Sequence, residues 1–286
     1  MEEAQSSVGF DFVRSLAAEL SRGNVDLPSF PEIAVRVRRV LSDPKSSVEQ
    51  VVRVVGSEPA LAARLLRIAN SASLNRSGRA VTDLRTAINR IGYNMVRSAA
   101  ISFSMAQIRT SNKLAGLEHH LNELWQRSTL VAAFSYVLAR MCTKVNPDEA
   151  MLTGMMHGIG KLYVLTRAID HPELFISDKT LNDIIGEWHA TIGKAILENW
   201  DFSEAMAQAV GDQADFSRAD DGPPDLSDVI AVAILMAAHD EDASGLDAAL
   251  TGLAAAKRLR LDEEKTQVVI RESTAEVTAL SQALGS

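Results

Sequence analysis

Histidine and cysteine are the side chains of this sequence with which metal or nucleophilic chemistry would begin. No two of the six histidines stand at the i, i+4 spacing of a helical zinc motif, and Cys142 has no second cysteine with which to share a metal ion. Cys142 lies on an apolar helix face, where a thiol is typically buried and inert. The histidines are His119, His120, His157, His171, His189 and His239. Since no serine lies in a nucleophile turn either, the sequence contains no local catalytic motif.

The segment from Gly154 to Lys161 holds three glycines, His157 and a terminal lysine. A glycine-rich loop that ends in lysine suggests a phosphate-binding P-loop, but the pattern fails on three counts. The spacing is one residue too long, Leu162 replaces the magnesium-binding Ser or Thr, and no strand precedes the loop. We therefore interpret the segment as the end of one helix, a turn around His157 and the start of a second helix.

His157 and His189 are the two histidines that lie in apolar helical contexts. A lone histidine in such a context is more often a hydrogen-bonded core residue than a ligand. His119 and His120 are adjacent, so they cannot both face one site on a helix, and His171 precedes a proline at a helix end. We expect these three to lie at the surface and the other two to lie inside.

The elements that must position these residues are helices. Apolar residues recur with helical spacing along nearly the whole chain, and we predict about thirteen helices and an all-α fold. Gly92 is a suitable residue to end one helix, and Asn94 can begin the next. In the C-terminal part we predict helices at 226–239 and 245–260 and a last one from Asp262.

The composition indicates a soluble globular protein, with 47% hydrophobic and 23% charged residues in a chain of 286. No apolar run approaches the ~20 residues that cross a bilayer, and the N-terminus lacks the basic and apolar regions of a signal peptide. A single cysteine excludes an internal disulfide framework and fits a reducing compartment. We therefore predict a cytoplasmic protein that has no membrane segment.

The net charge of −8 is distributed unevenly along the chain. Residues 23–113 carry 14 Lys and Arg against 6 Asp and Glu, whereas residues 114–286 carry 13 against 27. The basic region could contact nucleic acid or an acidic partner. Alternatively, its charged residues lie on ordinary solvent-exposed helix faces and bind nothing. Because the chain as a whole is acidic, we do not expect a nucleic-acid binder.

Five blocks of residues form a recognisable series along the chain. They are Leu27 to Pro31; Ser57 to Leu61 with Leu65 to Ser71; Thr82 to Gly92; Trp125 and Ser128 with Gly154 to Gly160; and His189 to Gly193 with Trp200. In this order they resemble the HDOD domain, an output-type relative of the HD phosphohydrolase superfamily, and the resemblance covers about residues 23–215. It implies an all-α, HD-superfamily-like multi-helix bundle with a C-terminal helical extension.

On this basis we divide the chain into four parts. Residues 1–22 are predicted to form an N-terminal helix, and residues 23–215 the HDOD domain. Residues 216–225, which include three aspartates and two prolines, are predicted to be a linker. Residues 226–286 would then form the C-terminal helical extension, packed on the core.

The resemblance also implies where a metal site would lie. HD phosphohydrolases bind one or two metal ions through an early His, a His-Asp doublet and later ligands, and only His157 and His189 match these positions. The last aspartate would fall at 236–238, where the chain has none, although His239-Asp240 lies close by. The positions at which a ligand is lost are Arg127, Gly158, Asp212 and Gln213.

Two neutral imidazoles without a firmly placed carboxylate form a poor site for a divalent ion, since metal hydrolysis needs three or more ligands and an open position. We therefore expect no catalytic residue, no bound metal and no cofactor, with His157 and His189 as remnants. The resemblance then implies a non-catalytic signal-transduction module that binds a partner protein or small ligand in a bacterial regulatory pathway. The alternative is a metal-dependent HD phosphohydrolase acting on a nucleotide or cyclic dinucleotide, with a divalent metal as cofactor. The sequence predicts neither the ligand-binding residues nor the oligomeric state.

Overall fold

The computed structural model of the chain describes residues 2–21, 32–70, 80–109, 116–175, 178–200, 202–218, 222–239 and 243–284. Within these ranges the chain is helical without any strand, which confirms the predicted all-α fold class. None of the helices in these ranges combines the length and apolar character that a membrane span requires. The predicted block from Leu27 to Pro31 lies outside the described residues, as do Ser71 and Asp240.

Fourteen α-helices occur in the described ranges, with a short 3-10 turn at Pro172–Phe175 between the eighth and the ninth. The first seven are α1 (Glu2–Ser21), α2 (Glu32–Ser42), α3 (Val48–Gly56), α4 (Pro59–Ala69), α5 (Leu84–Arg109), α6 (Glu118–Cys142) and α7 (Pro147–Met156). The others are α8 (Ile159–Ala168), α9 (Asp178–Asn199), α10 (Glu204–Gly211), α11 (Leu226–Ala238), α12 (Ala243–Leu250), α13 (Ala254–Arg258) and α14 (Glu263–Leu284).

Helices α2 to α5 enclose a hydrophobic core of their own. Val37 of α2, Val51 of α3 and Leu65 of α4 are fully buried, as their helical spacing predicts. A capping box begins α3: the Gln50 N–H donates to Ser47 Oγ, and the Ser47 N–H donates to Gln50 Oε1. Because this cap fixes the first residue of α3, it also fixes which valines face the neighbouring helices.

Helix α5 is broken at Gly92, whose backbone has φ 77° and ψ 163°. Glycine is required there, because a Cβ is strained at such a positive φ. The predicted end of a helix at Gly92 and the start of the next near Asn94 are therefore confirmed, although the two helical stretches follow each other without a loop.

Helix α6 lies at the centre of a second, larger core, to which α1 and α7 to α14 contribute. Val131, Phe134 and Leu138 of α6 are buried in it. Helix α7 runs along α6 at close range, since a Cβ on Gly154 would lie 2.8 Å from the carbonyl oxygen of Val131. Only glycine fits at this crossing, which holds α7 close to α6 one turn before His157.

The C-terminal helices pack on the larger core, where Asp228 of α11 is 1% exposed and is paired with Arg258 of α13. The predicted single helix at 245–260 is wrong. Gly252, with φ 97°, separates α12 from α13, because this backbone conformation ends a helix instead of continuing it. Helical spacing of apolar residues continues across the break, so periodicity alone did not reveal it.

Candidate functional site

The site predicted around His157 lies where α6, the turn between α7 and α8, helix α9 and the end of α10 meet. Gly160 stands directly against α9. A Cβ added to Gly160 would overlap the carbonyl oxygen of His189 and would lie 2.8 Å from the amide nitrogen of Gly193. A larger residue would separate α8 from α9, so Gly160 keeps His157 and His189 on neighbouring backbones.

His157 is 2% exposed and ends α7. Its ring Nδ1 lies 2.7 Å from the carbonyl oxygen of Gly154. Because a carbonyl oxygen only accepts, Nδ1 carries the proton and Nε2 keeps its lone pair. The main-chain oxygen of His157 accepts a hydrogen bond from the side-chain amide of Gln213 at 3.0 Å. As predicted, His157 is a hydrogen-bonded core histidine.

His189 repeats this arrangement one helix away. It is 9% exposed, and its Nδ1 lies 2.7 Å from the carbonyl oxygen of Ile185, one turn earlier in α9. The same reasoning gives a protonated Nδ1 and a free lone pair on Nε2. Each of these two histidines is therefore held in the tautomer whose Nε2 can ligate metal.

The electrostatic environment of the two imidazoles is positive. Burial lowers the pKa of His157 to about 3; the hydrogen bond to Gly154 opposes this shift, and the charges of Lys161 and Arg127 add to it. Burial also lowers the pKa of His189, and Lys161 lowers it further. No carboxylate contributes to either shift. Both rings are thus neutral at neutral pH.

Gly158 occupies the position of the carboxylate of an HD doublet, as the N-cap of α8. The space in which a side chain would begin there is filled from α6: a Cβ would lie 2.5 Å from Cδ1 of Leu124 and 3.5 Å from Oγ of Ser128. Ser128 is fully buried, and its hydroxyl has no hydrogen-bond partner among the described residues. Helix α6 therefore presents a methyl group and an unpaired hydroxyl where a metal ligand would stand.

Two partly exposed cations act electrostatically on the imidazoles: Arg127 on α6 lowers the pKa of His157, and Lys161 in the first turn of α8 lowers the pKa of both rings. Burial lowers the pKa of Lys161, and the charge of Arg127 lowers it further, so the two side chains repel each other. Neither has a carboxylate partner in the part of the chain that the structure describes. The sequence predictions included Arg127 but missed Lys161, although a lysine three residues after the turn glycine was an available signal.

The two residues at the later ligand position have different neighbours. Gln213 is 3% exposed, and its side-chain amide donates to the main-chain oxygens of His157 at 3.0 Å and Val210 at 2.8 Å. Asp212 ends α10 and accepts a hydrogen bond from the Gln208 side chain at 2.6 Å. Gln213 thus links α10 to the turn at His157, whereas the Asp212 carboxylate is engaged by its own helix.

The remaining predicted positions add no ligand within the described residues. Met236 and Ala237 are buried apolar residues of α11. His239 follows them, and its Nδ1 lies 3.0 Å from the carbonyl oxygen of Leu235. The end of α11 is therefore held by main-chain and apolar contacts.

The described side chains do not fit a metal-hydrolysis centre. Among them, no three His, Cys, Asp or Glu side chains come close enough together to hold one metal ion. His157 and His189 supply two nitrogens, but Arg127 and Lys161 place positive charge beside them, which raises the free energy of a divalent ion there.

Comparisons with known proteins match most of this chain to one family of domains. The HDOD domain profile matches residues 27–216. An uncharacterized protein of Treponema pallidum is 23% identical over an alignment of 215 residues, and the match covers 68% of this chain and 39% of that protein. The chain therefore spans well under half the length of this curated relative.

Solved structures share the fold over nearly the whole chain. A crystal structure from Shewanella amazonensis, of a protein proposed to be a metal-dependent phosphohydrolase, has a TM-score of 0.76 and 29% identity, and covers 96% of this chain and 99% of that chain. An HDOD domain protein of unknown function from Geobacter sulfurreducens has a TM-score of 0.59 and 18% identity, and covers 99% and 98%. At 18% identity, the similarity to the Geobacter protein shows a shared fold and no more.

Proposed function

Because the chain belongs to the HDOD domain family, we propose that it is a signal-transduction module without metal chemistry, which acts by binding a partner protein or a small ligand. The observation that supports this proposal is the charge around the two remnant histidines. The charges of Arg127 and Lys161 act on them, and Gly158 stands where the family of hydrolases has a carboxylate. A divalent ion would meet two cations there and no anionic ligand, so it would bind weakly.

A second candidate function is that of a metal-dependent phosphohydrolase acting on a nucleotide or cyclic dinucleotide. One structural observation favours it: Nδ1 of both His157 and His189 is held by a main-chain carbonyl, which leaves Nε2 available to a metal ion. The proposed phosphohydrolase from Shewanella amazonensis, 29% identical, also favours it. Against it stands the lack of a third ligand among the described side chains.

Metal analysis combined with an activity assay separates the two functions. We expect chain purified without chelator to contain Mn, Fe and Zn well below one ion per molecule. We also expect no turnover of nucleotides or cyclic dinucleotides when these metals are added. Stoichiometric metal together with turnover that His157→Ala abolishes would establish the phosphohydrolase instead. Arg127→His combined with Gly158→Asp and Leu124→Ala serves as the comparison, since this variant regains two ligand types, removes the methyl group that fills the space at Gly158, and should bind more metal than the wild type.

Binding is tested separately, with the chain as bait. We expect a specific protein or small molecule to co-purify with the wild-type chain from cell lysate and to be lost when Arg127 and Lys161 are both replaced by Glu. If nothing is enriched over that variant under varied salt and pH, the regulatory proposal has no support.

A further inference from the structure

A surface cleft lies between the end of α6, the segment before α11 and the turn from α13 to α14. Its volume is about 1100 Å³, which exceeds the ~300–1,000 Å³ of typical small-molecule pockets. Lys144, Pro223 and Arg260 are exposed members of its lining, so the cleft is open to solvent. None of its lining residues belongs to α7, α8, α9 or α10, and the cleft is therefore separate from the histidine turn.

Two of the charged residues that line the cleft are neutralised by ion pairs. The Nε of Arg258 donates to Oδ2 of Asp228 at 2.9 Å. Asp225 accepts from Nη1 of Arg218 at 2.9 Å, and it also caps the N-terminus of α11. Because Asp225 is the only acidic residue among the described residues of the lining, no carboxylate is left to balance the other cations.

Positive charge remains in the cleft after these pairs are counted. Lys257 also lines a neighbouring hollow that contains three acidic residues, so we do not count its charge here. The other three cations form no ion pair with a described residue. They are Lys144, Arg260 and Lys265. Since the chain as a whole has a net charge of −8, such a group of unpaired cations is a local exception.

Two of these cations are held in place by the end of α13. The Nζ of Lys265 donates to the main-chain oxygens of Leu259 at 3.0 Å and Arg260 at 3.4 Å. Arg260 has φ 53°, and it is the only residue other than glycine with a positive φ in the described ranges. Glycine is the usual residue at a helix end of this kind, and backbone strain often marks a functional residue. A guanidinium group is thus kept in the cleft at the expense of stability.

Apolar side chains supply most of the remaining lining, and no aromatic ring is present among the described residues there. Nucleic-acid bases would therefore have no ring on which to stack, and the net negative charge of the chain would repel a phosphate backbone. An occupant that combines carboxylates with apolar groups fits this lining better. The apolar residues are Met141, Val145, Pro223, Pro224 and Leu259.

We propose that this cleft binds an acidic, extended segment of a partner protein. Lys144 follows α6, whereas Arg260 and Lys265 come from the turn between α13 and α14, so the cations belong to two different walls. Side chains of an extended segment alternate in direction, which lets carboxylates meet these cations while apolar side chains meet the rest of the lining. The inference goes beyond the proposed function, which concerns the histidine turn, and its test does not depend on the metal assay.

Fluorescence anisotropy with a short labelled peptide, in which Glu alternates with Leu, tests the proposal on the full chain. We expect saturable binding that weakens as salt is added, and no binding of the same peptide with Gln in place of Glu. Lys144→Gln and Arg260→Gly should each weaken binding by about two- to fivefold, and the double variant by about the product of the two factors. Lys179→Gln is the matched control, since this lysine is exposed on α9, and Arg260→Lys keeps the charge. Both should bind as the wild type does.

Two further readouts separate a binding role from a structural one. Arg260→Gly should unfold at a higher urea concentration than the wild type while it binds the peptide less tightly, because glycine relieves the positive φ. Cys142 lines the cleft and is the only cysteine of the chain, so its alkylation by iodoacetamide reports on occupancy. Saturating peptide should slow this reaction.

Several results would overturn the proposal. These are unchanged binding in the double variant, an unchanged alkylation rate at saturating peptide, or lower stability of Arg260→Gly. Tighter binding of a single-stranded oligonucleotide of equal charge, or self-association that the double variant abolishes, would show that the occupant is a nucleic acid or a second copy of this chain. Asp220 and Asp221 precede Gly222 in the sequence and lie outside the described residues. Replacing both by Asn removes only negative charge, so weaker binding of that variant would also count against the cleft.

Discussion

Acidification should destabilise this chain through His157. Burial is the main reason why the pKa of this ring falls from its ordinary value of 6.5 to about 3 in the folded chain. A group with a depressed folded pKa binds more protons when the chain is unfolded. Its contribution to stability is therefore complete above pH 6.5 and is lost as the pH falls toward 3.

The size of the loss follows from the shift. At about pH 4.5 the ring in the unfolded chain is almost fully protonated, while the folded ring is still neutral. The pH then lies about two units below the ordinary pKa of 6.5, and the loss of stability grows with this difference. At 1.36 kcal/mol per unit this amounts to about 3 kcal/mol, and the full shift to about 5 kcal/mol. Because domains are stable by only ~5–15 kcal/mol, the smaller figure is measurable and the larger one approaches complete unfolding.

Urea unfolding followed by circular dichroism at pH 7 and about pH 4.5 measures this loss. His157→Asn is the matched control, because asparagine does not titrate and its amide can still donate to Gly154. His189 has a lowered pKa too, while burial raises the pKa of Asp148 and Glu276 and gives them the opposite effect. These groups are common to both proteins, so the difference between the two pH dependences isolates His157.

Equal losses in the wild type and in His157→Asn would refute the reasoning, since the pH dependence would then originate elsewhere. Proton NMR of the ring gives a direct check. The His157 Cε1 proton should keep its neutral shift throughout the range in which an exposed histidine titrates. A midpoint between about 6 and 7 would contradict the burial of the ring.

The remaining predictions concern helix packing and ion pairs, and denaturant unfolding measures each. Gly160→Ala should lower the free energy of unfolding by about 3 kcal/mol or more, because its Cβ has no room, whereas Gly186→Ala, with nothing near its Cβ, should raise it by about 0.5–1 kcal/mol. Similar effects of the two alanines would argue against a tight contact between α8 and α9. Asp228→Asn should lower the free energy of unfolding by about 3 kcal/mol, since it removes the buried negative charge that pairs with Arg258. Glu272→Gln, in a half-exposed ion pair, should change it by less than about 1 kcal/mol. An equally small effect at Asp228 would show that this pair is solvated.

Local signals in the sequence predicted the helices where a cap or a glycine marks their ends. One example is the capping box of Ser47 and Gln50, and another is Gly92. Both signals act on the backbone of residues only a few positions away. The predicted helix at 245–260 failed at Gly252, since a glycine inside an apolar periodic stretch is compatible with either a helix or a break. The positive φ that decides between them depends on how α12 and α13 pack on the core.

The candidate site was predictable only in part. The resemblance to a known family placed His157, His189 and Arg127, because their positions follow motifs in the chain. The proximity of Lys161 to Arg127 depends on how the start of α8 packs against α6, and the filling of the space at Gly158 depends on a rotamer of a residue 34 positions earlier. Such contacts between distant segments have no periodic or local signal.

The backbone contact at Gly160 limits which motions a ligand could induce. The His189 carbonyl lies directly against Gly160, so no side chains separate the backbones of α8 and α9 at this point. A sliding motion of one helix along the other would therefore break this contact. The two helices therefore move as one rigid body. Helix α9 in turn packs against α10 and α1, so a displacement of α8 would be passed on mainly through α9, whereas α6 meets Gly158 only through a leucine methyl.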